Sequence, residues 1–249
     1  MNLVTARLTE VMVDAGFEVS GPLDGRPAEE FTGRHPDLRR LWFAAPDSGV
    51  QGMDAAIGAR LSRERGRLGI YGEAWVGTPA VGEMAQALAQ RAFVGRQIES
   101  VPFGYFDDHD DFNRPLYIGA EVNLEYYVGK FMSYVRGPAA QWLAERDSMD
   151  KLFALAPKGN PRALLDPVSP DPTRMRGVAV LGVGNGRPDE TATSLRWYLG
   201  GTQFHNWDSA EQAALFDGAL AQRYPDYAAA RSRAETSPVP KHFYGTARA

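Results

Sequence analysis

Two stretches alternate so regularly that they restrict the fold more than any other feature of the chain. In "RLGIYGEAWVG", residues 67–77, Tyr71, Glu73 and Trp75 fall on one side of the backbone. In "PLYIGAEVNLEY", residues 115–126, Leu116, Ile118, Ala120, Val122 and Leu124 share one face, and Tyr117, Glu121, Asn123 and Glu125 share the other. A period of two belongs to a strand with one buried and one polar face. "TSLRWYLGG", residues 193–201, carries Arg196 and Tyr198 on its polar side and reads the same way. Joined in one sheet, these faces make a surface mixing Tyr, Trp, Glu, Asn and Arg.

Between the strands the punctuation is Pro and Gly. Val4, Leu8, Val11, Met12 and Ala15 predict an opening helix that stops at Gly16. "FEVSGPL" and "LRRLWFAAP" read as strands, and residues 53–64 as a helix running to Gly66. Thr78 before Pro79 marks an N-cap followed by an amphipathic helix to about Arg96. "VPFGYF" pairs with residues 115–124 as two strands, and a helix from Glu125 is broken at Gly137-Pro138 before resuming to about Leu155. "RGVAVLGV" and "TSLRWYLGG" read as a hairpin turned at Asn185-Gly186. Asp208, three residues before Glu211, predicts the cap of a last helix toward Tyr227. Strands joined by short turns favour antiparallel pairing. The expected fold is α+β, a largely antiparallel sheet, curled or barrel-like, built from hairpins alternating with helices. Residues 1–249 are expected to form one domain, with the proline-rich segment 157–176 as the candidate internal boundary.

The chain has no cysteine, which removes disulfides, thiolate nucleophiles and cysteine metal ligands. Its net charge of -4 opposes a nucleic-acid partner, and no apolar run reaches membrane-span length, so a cytoplasmic location is expected. Arginine outnumbers lysine 23 to 4 beside abundant alanine, as in a GC-rich bacterial genome.

"YFDDHDDF", residues 105–112, concentrates the acidic charge. Asp107, Asp108 and Asp111 match the DDxxD pattern with which isoprenoid synthases hold Mg²⁺ and, through it, a diphosphate. In those enzymes the motif lies on a helix, whereas here it falls between two expected strands. The first expectation is a charged turn, with Mg²⁺ as the alternative. His109 has no companion at zinc-ligand spacing. "RLSRERGR", residues 60–67, reads as the solvated end of a helix or as an anion site.

The aromatic face is the stronger candidate. A carboxylate between Tyr71 and Trp75 would suit proton transfer, so Glu73 and Glu121 are the expected acid–base groups, joined by His205 at a strand end. Tyr71, Trp75, Tyr117, Asn123, Arg196 and Tyr198 are the expected ligand contacts. The partner is then a small aromatic or amphipathic molecule. Helix–hairpin–helix units around such a face resemble the aromatic prenyltransferase barrel. That resemblance implies a lumen glutamate and a ring of Tyr, Lys and Arg around a prenyl diphosphate. The opposing expectation is a non-enzymatic interaction protein of chaperone or immunity type, which would present the face flat and open.

Overall fold

The structure is a computed structural model and describes residues 1–21, 38–64, 66–87, 96–107, 115–118, 123–159, 168–201, 204 and 208–234. Helix α1 (Asn2–Asp14) buries Val4, Leu8 and Met12 at four-residue spacing and gives way at Gly16, whose φ of 89° suits glycine. Strands β1 (Glu18–Ser20), β2 (Leu38–Ala44), β3 (Asp54–Glu64) and β4 (Arg67–Gly77) follow. They pair antiparallel in chain order. Beyond β4 lie β5 (Gln97–Pro102) and β6 (Leu116–Ile118), both hydrogen-bonded to β4. The fold is therefore α+β with a mostly antiparallel sheet of six strands, and the sheet is open rather than closed into a barrel.

Several elements differ from the sequence expectation. Residues 54–64 form a strand, not a helix. Their run "DAAIGARLS" is rich in alanine, which marks neither face, and pairing with β2 on one side and β4 on the other overrides local propensity. β5 and β6 do not form a hairpin with each other, because each pairs with β4. A 3₁₀ turn (Phe103–Asp107) follows β5, and residues 108–114 lie outside the described residues. Of the strand expected over 115–124, Leu116–Ile118 is present and residues 119–122 lie outside the described residues; helix α3 (Leu124–Tyr134) begins directly after Asn123. The expected break at Gly137-Pro138 is present as a π-helical turn (Val135–Ala139), where Pro138 cannot donate and Gly137 leaves helical dihedrals. Helix α4 (Ala140–Ala144) continues beyond it.

Two compact units emerge: Met1–Ser48, Asp54–Gly77 and Glu99–Glu145 form the first, and Gly49–Met53, Thr78–Ile98 and Arg146–Ala249 the second. The described parts of the proline-rich segment, residues 157–159 and 168–176, fall inside the second. In the first unit, Leu8, Met12, Phe43, Ile57, Leu61, Ile70 and Phe131 are buried, and Phe103 packs on Phe131 and Tyr134 with ring centroids 5.2 and 5.3 Å apart.

The second unit is helical. It contains α2 (Pro79–Ala87), α5 (Met149–Leu155), α6 (Pro172–Gly184), α7 (Pro188–Leu199), α8 (Ala210–Arg223) and α9 (Pro225–Ala234). The hairpin expected over residues 176–201 is thus a pair of helices. Every residue from Arg174 to Gly182 in α6 is buried, and a helix apolar all round shows no period. In α7, Thr191, Ala192, Leu195 and Tyr198 are buried at helical spacing, with Pro188 at the start and Asp189 and Glu190 in the first turn. Asn185-Gly186 still turns the chain, now between helices, with Gly186 at φ 72°. Ser209, not Asp208, caps α8 by accepting from the Gln212 amide.

Candidate functional site

Register fixes what the polar face of the sheet presents. Residues directly opposed across antiparallel strands project on the same side. One cross-strand row is Arg40, Arg60 and Tyr71; the next is Trp42, Gly58 and Glu73; the third is Ala44, Ala56 and Trp75. Tyr117 of β6 stands opposite Gly69, two residues before Tyr71, and joins the same face.

Over the first row opens a cleft of about 340 Å³, within the size range of small-ligand sites. Its charged lining comprises Arg40, Arg60, Lys130, Glu73 and Asp107, joined by the four tyrosines Tyr71, Tyr117, Tyr127 and Tyr134. Phe103, Pro102, Pro115 and Leu116 supply apolar wall. All of these residues belong to the first unit.

Three local arrangements shape the site. The Arg60 guanidinium stacks over the Tyr71 ring, 4.0 Å from its centroid, as their opposed positions on β3 and β4 require. Glu73 lies across Gly58. A Cβ at position 58 would sit 2.8 Å from the Glu73 Cγ and 3.0 Å from the Trp42 Cζ3, so the glycine is the gap that admits both side chains. The Tyr134 hydroxyl donates to the Asp107 Oδ2, which orients that carboxylate at the end of the 3₁₀ turn.

Of the expected site residues, Tyr71, Glu73, Tyr117 and Asp107 meet in this cleft. Trp75 is 1% exposed and packs edge-on against Trp42, 5.8 Å between centroids, in a buried cluster with Ala56. Asn123 is exposed at the start of α3. Glu121, His205, Asp108 and Asp111 lie outside the described residues. Among the described residues no group of three metal-ligating side chains occurs, and no helix is long and apolar enough to cross a membrane.

Arg196 and Tyr198 belong to the second unit and stand on helix α7, not on a strand. Arg196 donates to the Ala234 carbonyl. Tyr198 gives its hydroxyl to the Asp208 Oδ2 at 2.5 Å, while Arg176 holds the other oxygen at 2.5 Å with both charged side chains fully buried. Burial first, and then the bond to Asp208, pushes the Tyr198 phenol well above its ordinary range. The cluster has the character of a structural ion pair, with the Arg176 guanidinium 5.8 Å from the Phe216 ring.

Arg60 opens the stretch 60–67 that the sequence marks as a helix end or an anion site, and it lies on a strand; the cleft residues not singled out are Arg40, Tyr127, Lys130 and Tyr134. The last three sit at i, i+3 and i+7 of α3, one helical face, and that spacing was a readable signal. Arg40 and Arg60 became visible as neighbours only through the register of β2 on β3. Compared with protein-family models, curated proteins and solved structures, the chain matches none.

Proposed function

We propose that the first unit binds a small aromatic or amphipathic organic molecule in the cleft over the sheet, with Glu73 as the group that exchanges a proton with it. One observation carries this reading: Glu73, Arg40, Arg60 and Lys130 line a single cleft with four tyrosines. Aromatic walls supply contact area, and a few charged groups fix orientation. A concave lining of this kind also favours a small ligand over a protein partner, which a flat face would suit better. Glu73 lies over Gly58, whose missing side chain leaves room for both it and Trp42.

A thermal-shift and calorimetric screen with simple aromatic acids, phenols and aryl phosphates tests the proposal. Wild-type protein is compared with Tyr71→Leu and Glu73→Gln, each checked for an unchanged circular dichroism spectrum. The expected result is at least one aromatic probe whose affinity falls about tenfold in Tyr71→Leu. A screen in which every probe treats the three proteins alike refutes the reading.

A further inference from the structure

The electrostatics of the cleft carry the reading one step further, to the chemical class of the ligand's anionic group. Among the described residues, two of its cations have no carboxylate partner. Arg60 has the Tyr71 ring under the face of its guanidinium, and among the described residues it makes no ion pair or hydrogen bond through its N–H groups. Lys130 likewise has no ion pair through its ammonium among the described residues. Both line the cleft. Seven other cations, Arg7, Lys151, Arg176, Arg187, Arg223, Arg231 and Arg233, pair with carboxylates.

The position of Arg60 also carries a like-charge cost. It stands directly opposite Arg40, and like charges in opposed cross-strand positions repel. Of the described acidic groups in the cleft, Asp107 accepts from Tyr134, and Glu73 lies over Gly58 in the next row. An anion placed beside Glu73 would be repelled, which leaves Arg60 and Lys130 as its seat.

A guanidinium stacked by its face keeps its N–H edge for a planar fork of acceptors, and an ammonium adds a point charge. A carboxylate would neutralise one of these cations. A phosphoryl group carries about -1.5 to -2 near neutral pH and matches both. We infer that the ligand of the cleft bears a phosphoryl group, held by Arg60 and Lys130, with its aromatic or apolar part against the tyrosines. This rests on the cleft being a small-molecule site.

Titration of the full chain with phenyl phosphate, benzoate and phenol at fixed ionic strength separates the possibilities. Phenyl phosphate is expected to bind at least about tenfold more tightly than benzoate. Arg60→Gln and Lys130→Gln should each weaken phenyl phosphate about tenfold while leaving phenol unchanged, and Arg60→Lys should restore part of the loss. Benzoate binding as tightly as phenyl phosphate, or wild-type phosphate affinity in both glutamine variants, overturns the inference. Should phenol or benzoate bind in a manner that Tyr71→Leu weakens while the phosphate adds nothing, the phosphoryl assignment falls and the cleft reading stands. If no probe responds to Tyr71→Leu or Glu73→Gln, both fall together.

Discussion

Asp208→Asn is the substitution whose consequence the second unit dictates most sharply. The carboxylate is fully buried, joined to the equally buried Arg176 at 2.5 Å, and it accepts from the Tyr198 hydroxyl with its other oxygen. Asparagine keeps the shape and removes the charge, so the guanidinium stays out of water without its counter-ion. Removing one partner of a buried pair costs about 3–5 kcal/mol, because the remaining charge is uncompensated. With a urea slope of about 2 kcal/mol/M, a loss of about 4 kcal/mol lowers the unfolding midpoint by about 2 M. Urea titration followed by circular dichroism reads the midpoint, and hydrogen exchange in Pro172–Gly184 and Pro188–Leu199 places the loss in α6 and α7. The double variant Arg176→Met/Asp208→Leu should recover most of the stability, since an apolar pair does not carry the desolvation cost of two ions. An Asp208→Asn midpoint within about 0.3 M of wild type, or a double variant no better than the single one, refutes the reasoning.

Two glycines separate function from stability in the first unit. A Cβ on Gly72 would stand 2.2 Å from the Phe103 Cδ2, and that ring is packed in the core against Phe131. Gly72→Ala should therefore lower stability by about 1–3 kcal/mol in urea titrations. Gly58→Ala meets Glu73 and Trp42 instead, so its larger expected effect is on the cleft: weaker probe binding with the sheet retained in circular dichroism. Equal effects of the two on both readouts would contradict this assignment. Alkaline pH probes the buried phenols. Burial, then hydrogen bonds to Asp208 and Asp217, raises Tyr198 and Tyr227, so the native state keeps protons that the unfolded chain releases. Their stabilisation is complete below about pH 10 and declines as pH rises above it. Tyr198→Phe/Tyr227→Phe should flatten the fall in urea midpoint between about pH 9 and about pH 11, and an unchanged slope would sink the argument.

How much of this was legible in the chain depends on contrast between neighbouring residues. β4 declared itself because Tyr71, Glu73 and Trp75 alternate with Ile70, Gly72 and Ala74, and register then confirmed that they share a face. Thr78-Pro79 and Gly137-Pro138 were equally plain, since proline's missing donor and fixed φ act locally. β3 was hidden, because Ala55, Ala56 and Ala59 are nearly neutral between helix and strand until partners are present on both sides. α6 was hidden for the opposite reason: buried on every side, it offers no polar face to reveal its period.

The candidate site divides along the same line. The sequence by itself determined the α+β class, the antiparallel pairing and the chemistry of one sheet face, with Tyr71, Glu73 and Tyr117 on it, because strand period is a local property. Only the tertiary structure decided which groups share the cleft. It brought in Arg40 and Arg60 through strand register and Lys130, Tyr127 and Tyr134 through one face of α3, and it placed Arg196 and Tyr198 in a different unit. Residues so far apart in sequence become neighbours through pairing and packing. Those depend on long-range complementarity that no local pattern encodes.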